Sequence, residues 1–170
     1  MRFSLETERL RLRELEVGRD EAFVLKLLNE DGFLRNIGDR GVRDLDGAAR
    51  YILEGPGSSY AQNGFGLWAV EDKSTGEPVG LSGLIRRDVL DHVDIGYAFL
   101  ESVAGRGYAT EAGAAVMAYG REVVGLTTIV AITTPDNDAS GRVLEKLGLK
   151  FSGMIQLPTH DTESRYYVSG

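Results

Sequence analysis

The sequence predicts a mixed α/β (α+β mixed) fold in which one sheet is flanked by helices. In the middle of the chain, apolar and polar residues alternate over short segments, which is typical of half-buried strands. From Ala109 onward the apolar residues step by three and four, which indicates a helix. The two kinds of element are interspersed, with no repeat and no linker between them. We therefore expect one domain over residues 1–170, built on a single sheet.

The first part of the chain predicts one strand and two helices. Leu10 and Leu12 alternate with arginines, as in a half-buried strand with a basic outer face. Apolar residues at helical spacing predict a helix over residues 19–30, with Gly32 just beyond its end. A second helix is expected over about 44–53, closed by a Gly-Pro-Gly turn.

The rest of the chain predicts a central group of strands and then alternating elements. The three central strands are close in sequence, so we expect them to pair antiparallel. They cover residues 65–71, 79–87 and 93–99. The later elements are a helix over 109–123, an apolar strand over 128–132, a helix opened by Asn137 and capped by Gly148, and strands over 149–155 and 163–168.

The composition argues against several classes of protein. Of the 170 residues, 42% are apolar and 26% are charged. No apolar run approaches the ~20 residues that cross a bilayer. The first residues lack the apolar stretch of a signal peptide, so we expect a cytoplasmic protein without a membrane partner. A net charge of −7 argues against nucleic acid binding. It is consistent with a cationic partner and equally with a charge that serves solubility alone.

The absence of cysteine limits both the chemistry and the metals that we expect. No cysteine thioester can form, and a serine nucleophile would have only His92 or His160 as an imidazole base. Direct attack by an acceptor on an acyl donor is the simpler scheme. Both histidines lie in polar segments that are typical of turns, so we expect no metal site.

The segment from Gly105 to Thr110 carries the strongest functional signal. It joins a predicted strand to a predicted helix, and its two glycines let the backbone turn sharply and approach a ligand. The unpaired N–H groups at a helix start favour a phosphate. The Walker pattern is absent, and the dinucleotide fingerprint is incomplete because Thr110 stands at its third glycine. A pyrophosphate such as that of CoA fits this loop, and so does a tight turn without a ligand.

Residues 94–112, with the run Gly-Arg-Gly-Tyr-Ala-Thr-Glu-Ala at their end, resemble the acetyl-CoA loop of the GNAT acetyltransferases. They are most similar to the branch that acetylates the N-termini of ribosomal proteins. Three more segments resemble that branch in the right order: residues 7–13, 76–84 and 137–148.

The resemblance is weakest over residues 31–63, which usually shape the acceptor pocket in this family. Two single positions also depart from its pattern. The family often has an aromatic residue or glutamine where Ala104 stands, and proline where Glu101 stands. A cradle built from backbone amides should tolerate both changes.

The resemblance implies a single GNAT-like domain with a central, mostly antiparallel, splayed sheet and acetyl-CoA as its co-substrate. The acetyl group would pass directly to a primary amine, of a protein N-terminus or of a small molecule, in a ternary complex. The strand before the loop would splay near Ala98 to Leu100, where pantetheine pairs with the exposed edge. The N–H of Phe99 would then face the thioester carbonyl as an oxyanion donor.

The resemblance also implies roles for individual residues. The co-substrate would contact Phe99, Leu100, Gly105, Arg106, Gly107, Tyr108, Ala109, Thr110 and Asn137. Ser140 resembles the residue proposed to protonate the departing thiolate, and with Asn137 and Phe99 it completes the implied catalytic set.

Spacing alone leaves simpler roles open for several of these side chains. Asn137 fits a plain N-cap, Ser140 a polar residue of the first helical turn, and Arg106 a solvated surface arginine. Trp68 and Tyr97 fit either a pocket beside the thioester or the core, and core packing is favoured for both.

The general base is left unassigned among water and three carboxylates: Asp94, Glu71 and Glu163. A CoA-binding module without catalysis is the alternative function. An exposed edge near the last strands could also support a homodimer.

Overall fold

The computed structural model describes residues 3–169, which form a sheet of eight strands flanked by helices. The strands are β1 (Ser4–Glu6), β2 (Leu10–Arg13), β3 (Leu67–Asp72), β4 (Pro78–Ile85), β5 (Asp94–Phe99), β6 (Val130–Thr133), β7 (Leu149–Ile155) and β8 (Ser164–Ser169). The helices are α1 (Glu21–Leu28), α2 (Asp31–Asn36), α3 (Leu45–Glu54), α4 (Pro56–Asn63), α5 (Tyr108–Tyr119) and α6 (Asp138–Lys146). The predicted mixed α/β class with a mostly antiparallel sheet is confirmed.

The sheet runs in the order β1-β2-β3-β4-β5-β6-β8-β7, and one pair of neighbours differs from the rest. Every pair is antiparallel except β5 and β6, which are parallel and meet at a single register pair, Asp94 with Val130. There the N–H of Val130 donates to the carbonyl of Val93 at 3.0 Å. Beyond this point no further pair joins the two strands, so the sheet is splayed. The opening starts after Asp94, earlier along β5 than the expected Ala98.

The core places the site by fixing α5 on the middle of the sheet. Helix α5 packs on β4 and β5, so its first turn lies at the end of β5. Trp68 on β3 is fully buried and stacks on Phe3 with ring centroids 4.0 Å apart. Tyr119 meets the same indole edge-on at 5.4 Å. The expected core role of Trp68 is confirmed.

Three elements near the N-terminus differ from the expectation. Strand β1 pairs with β2 although only three residues long, too short to show a pattern. Gly32 lies inside α2 rather than beyond a helix. The Gly-Pro-Gly run begins α4 instead of forming a loop. Proline is tolerated there because the N–H groups of the first helical turn have no partner within the helix, so its missing N–H costs no hydrogen bond.

The predicted basic outer face of β2 is wrong for Arg13. This side chain is buried, and its Nε lies 2.6 Å from Glu71 while its two Nη atoms lie 2.8 and 2.9 Å from Asp20. Burial lowers the pKa of Arg13, but the hydrogen bonds to Asp20 and Glu71 outweigh it and raise the pKa above its ordinary value. The alternation rule failed here because a paired arginine can take a core-facing position.

No helix within residues 3–169 is long and apolar enough to cross a membrane.

Candidate functional site

The separation of β5 from β6 opens into a cavity of about 460 Å³. Two sets of residues line it, and we name each by its character. The loop wall comprises residues that the sequence associated with CoA or its loop: Ala98, Phe99, Ala104, Ala109, Asn137 and Ser140. The mixed wall combines charged, polar and apolar side chains from elsewhere in the chain: Phe33, Ile37, Arg40, Tyr51, Arg87, Asp94 and His160.

The exposed edge of β5 is formed by the backbone N–H and carbonyl groups of every second residue in that strand. The N–H of Leu100 donates to Val79 at 2.9 Å, on the β4 side. Antiparallel ladders alternate, so the N–H and carbonyl groups of Tyr97 and Phe99 face away from β4, into the opening. The carbonyl of Val93, on the same side, accepts from β6. The structure therefore brings the backbone of Phe99 to the cavity, where an extended chain could pair with it.

Leu100 takes no part in this edge. Besides its N–H bond to Val79, its carbonyl accepts from Val103 at 3.1 Å, and its side chain is buried outside the cavity lining. The other loop residues lie beyond it, after a 3₁₀ turn over Glu101–Val103.

The glycine loop owes its shape to backbone conformation rather than to lack of space. Gly105 and Gly107 have φ values of +81° and +80°, which L side chains rarely adopt. A β-carbon on Gly105 would meet nothing within 4 Å. Helix α5 starts immediately afterwards, and its first N–H to find a partner is that of Glu111, which donates to Gly107 at 3.0 Å. Among the residues that the structure describes, the N–H groups of residues 108–110 have no backbone partner, as is usual for the first turn of a helix.

The two large side chains of this loop, Arg106 and Tyr108, are held away from the cavity. Arg106 is exposed, and its charge helps to lower the pKa of Asp72, after the larger effects of hydrogen bonds from Ser74 and Tyr108. Tyr108 is buried, and its hydroxyl donates to Asp72 at 2.8 Å. Ala104 and Ala109 line the cavity, whereas Arg106, Tyr108 and the two glycines do not.

Helix α6 and β5 meet at a pair of hydroxyl groups. The Oη of Tyr97 lies 2.6 Å from the Oγ of Ser140, and both residues line the cavity. Burial raises the pKa of Tyr97 to about 12, and the hydrogen bond with Ser140 only partly opposes this rise. Asn137 caps α6 by accepting from the N–H of Ser140 at 3.2 Å, so the simple capping role is observed. Tyr97 packs against the core, as expected, and also lines the cavity.

Asp94 is the one carboxylate of the three considered as general base that lines the cavity. It is 1% exposed and pairs with the Nε of Arg87 at 3.0 Å. Burial raises its pKa to about 6, although Arg87 opposes the rise. Glu71 is engaged with Arg13 and Arg19, and Glu163 is exposed.

Two glutamates join α2 to the turn before the glycine loop. The N–H of Glu101 donates to the carboxylate of Glu30 at 2.9 Å, and the N–H of Gly32 donates to that of Glu101 at 3.1 Å. We call this reciprocal pair the glutamate latch. A proline at residue 101, as the family often has, could not supply the first of these bonds.

Several residues that line the cavity could not be identified as site residues from the sequence. Arg40 and Tyr51 lie in the stretch with poor resemblance, and Arg87 and His160 lie in loops without a motif. Thr134 also lines the cavity, and its buried Oγ1 has no hydrogen-bond partner within the described residues. Its position after the apolar strand β6 was the only available signal.

Metal ligation finds no support in the part of the chain that the structure describes, since residues 3–169 contain no cluster of three or more His, Cys, Asp or Glu side chains placed to hold an ion.

Residues 9–150 match the family described as acetyltransferase (GNAT) domain. The Bacillus subtilis protein YkkB is 33% identical over 156 residues, which cover 89% of this chain and 88% of YkkB. Among solved structures, an acetyltransferase from Agrobacterium tumefaciens superposes with a TM-score of 0.83 at 26% identity, covering 99% of this chain and 94% of that one. The ribosomal-protein-S5-alanine acetyltransferase from Vibrio fischeri shares the fold, with a TM-score of 0.74, 17% identity, and coverage of 98% and 96%.

Proposed function

This chain belongs to the GNAT acetyltransferase family, and we propose that it transfers an acetyl group from acetyl-CoA directly to a primary amine in a ternary complex. The observation that carries the proposal is the composition of one cavity. An unpaired strand edge, an acidic residue with a raised pKa, and a hydroxyl pair all border the same 460 Å³ space.

The residues present fit acetyl-CoA as co-substrate. Pantetheine would extend along the open edge of β5, where the backbone of Phe99 is unpaired with β6. Thr134 Oγ1, buried and without a partner among the described residues, would bind one of its amide groups. The pyrophosphate would lie on the N–H groups at the start of α5, with the pantetheine amides also near Asn137. Bound in this way, acetyl-CoA supplies the thioester and leaves as CoA.

Asp94 would take the proton that the amine must lose. An alkylammonium ion has a pKa of about 10 and cannot attack while protonated. A carboxylate with a pKa of about 6 is ionised at neutral pH and remains a stronger base than an ordinary aspartate. We propose that Asp94 accepts this proton, directly or through a water molecule, while Arg87 keeps the carboxylate oriented.

The neutral amine nitrogen then attacks the thioester carbon. The N–H of Phe99 stabilises the oxyanion, the new C–N bond forms, and the C–S bond breaks. Ser140 would donate a proton to the thiolate and take one from Tyr97, whose Oη lies 2.6 Å from the Oγ of Ser140. The second proton of the amine nitrogen, which leaves as the amide forms, would pass through water to Tyr97 and restore both hydroxyl groups. A thiol has a pKa of about 8.5, so this protonation is expected to help only modestly.

The acceptor is proposed to be a protein N-terminal amine or a small-molecule amine. The mixed wall offers carboxylate and guanidinium groups, so it suits an amine that also carries polar groups. The resemblance to the ribosomal-protein branch supports a peptide N-terminus.

The test is calorimetric titration of acetyl-CoA into the purified protein, after mass spectrometry has confirmed that no CoA co-purified. Gly107→Glu places a carboxylate in the proposed phosphate cradle. Gly125→Glu is the matched control, because Gly125 also has a positive φ and a β-carbon there would meet nothing within 4 Å. We expect tight binding that Gly107→Glu alone abolishes, followed by CoA release with one amine of a panel of peptides, polyamines and aminoglycosides. Binding without turnover for any amine would favour an inactive CoA-binding module, and no binding would overturn the proposal.

A further inference from the structure

Arg9 lies far from the glycine loop in sequence but beside it in space. The residue precedes β2, and Glu111 in the first turn of α5 holds it in two ways. The backbone N–H of Arg9 donates to Glu111 Oε2 at 2.9 Å, and its Nε donates to Oε1 at 2.7 Å. Thr7 also donates to the same carboxylate. The first turn of α5 therefore fixes both the backbone and the side chain of Arg9.

The free end of the guanidinium points at the loop. Its Nη2 lies 3.6 Å from the position that a β-carbon on Gly107 would occupy. Its central carbon lies over the Tyr108 ring, 4.7 Å from the ring centre, which is a cation–π contact. The guanidinium is ion-paired with Glu111 through Nε, and within residues 3–169 neither Nη atom has a hydrogen-bond partner. Four N–H donors are therefore presented beside the loop without a partner.

The carboxylate of Glu111 is the main charge that bears on the placement of Arg9. A carboxylate in the first turn of α5 would repel a bound phosphate, yet Glu111 stands there. Thr7 and Arg9 occupy both of its oxygens, so its charge serves to orient the arginine. Arginine presents paired donors that match two phosphate oxygens, which lysine cannot do.

We propose that Arg9 is the side-chain part of the phosphate cradle, and that its two Nη groups bind the pyrophosphate of CoA. The inference rests on the proposed function and goes beyond it, because the loop motif itself contains only Arg106. Both arginines are exposed, but Arg106 lies beside Asp72, whereas Arg9 is held beside the loop by Glu111 and the Tyr108 ring. Arg9 is thus a binding residue contributed by a segment outside the motif.

The experiment compares Arg9→Met and Arg9→Lys with Arg11→Met. Arg11 is the neighbouring surface arginine, half exposed and paired with Glu6. Arg11→Met removes one positive charge, as Arg9→Met does, and is therefore the matched control. Acetyl-CoA affinity is measured by calorimetry, and kcat/KM is measured with acetyl-CoA and with acetyl-pantetheine, which has no phosphates. Dephospho-CoA, which keeps the pyrophosphate and lacks the 3′-phosphate, is titrated as well.

Arg9→Met is expected to weaken acetyl-CoA binding by about 10- to 100-fold, as loss of a charge-assisted contact does. Arg9→Lys should lose less, and Arg11→Met should stay within about twofold. The loss should persist with dephospho-CoA and vanish with acetyl-pantetheine. If Arg9→Met does not fold, Arg9→Lys keeps a cation beside Glu111 and carries the same comparison.

Three results would overturn the inference. Equal affinity of Arg9→Met and Arg11→Met would show that the guanidinium does not meet the co-substrate. An equal loss with acetyl-pantetheine would assign Arg9 a structural role, and a loss that disappears with dephospho-CoA would move the contact to the 3′-phosphate. Each of these presupposes that the unsubstituted protein binds acetyl-CoA, so failure of the proposed function is seen separately.

Discussion

The glycine loop and the mixed wall adjoin the same cavity but are built from different parts of the chain. The loop offers backbone N–H groups in one continuous run, shaped by Gly105 and Gly107. The mixed wall offers side chains from four distant regions, including Arg40, Asp94 and His160. Side-chain identity should therefore matter little in the loop except at its glycines, and a great deal in the wall. This contrast explains why the loop carries a readable motif and the wall does not.

The largest expected effect is at Asp94, the most deeply buried charge of the mixed wall. If its carboxylate takes the amine proton, Asp94→Asn should lower kcat/KM by about 10²- to 10⁴-fold. In the unsubstituted protein, kcat/KM should fall as pH drops through about 6, since protonated Asp94 cannot accept a proton. The measurement is a pH–rate profile of both proteins, in which the variant should lack this acidic limb. An unchanged limb in Asp94→Asn would assign it to another group.

The same carboxylate gives a stability readout with a definite sign. Its folded pKa lies above the ordinary value, so the folded state binds the proton more tightly than the unfolded chain. The contribution of Asp94 to the free energy of unfolding should thus decrease as pH rises from 3.8 to about 6. Denaturant titrations of Asp94→Asn should lack this decrease.

A smaller effect is expected in the loop, where the comparison predicts a sharp contrast between neighbours. Gly107→Ala places an L residue at a φ of +80°, which costs about 1–2 kcal/mol. The free loop is expected to relax out of this conformation, so binding must restore it and acetyl-CoA affinity should fall by up to about tenfold. Ala104→Gln introduces a side chain that the family often has and should change the affinity by less than about twofold. Calorimetry of both variants tests this. A larger loss for Ala104→Gln than for Gly107→Ala would contradict a cradle made of backbone.

The smallest effect concerns the glutamate latch, which joins the two regions. Glu30→Ala removes the acceptor of the Glu101 N–H and loosens α2, which lines the mixed wall. Losing one such hydrogen bond typically costs about 1 kcal/mol, so KM for the amine should rise by roughly two- to fivefold. The Kd for acetyl-CoA should change less, and initial rates with calorimetry separate the two. A greater change in Kd than in KM would place the latch on the co-substrate side.

Much of the fold could be predicted because its elements carry local signals. The central strands, α5 and α6 are visible in the spacing of their apolar residues, and β6 is visible as a continuous apolar run. Their bounds differ from the prediction by only a few residues. The short β1 and α4 carry no such signal, and they form because packing supports them. Arg13 was misplaced because alternation does not reveal whether a charged residue has a buried partner.

The sequence by itself determined the family and the turn of the glycine loop, because such a turn is encoded by consecutive residues with fixed conformational demands. The predicted roles of Ser140, Asn137 and the loop residues stay predictions, although Ser140 and Asn137 do line the cavity. Only the tertiary structure decided that Asp94 rather than Glu71 or Glu163 borders the cavity, that Tyr97 bonds Ser140, and that Arg9 faces the loop. Those facts depend on side chains brought together from distant segments, whose spacing no local pattern records.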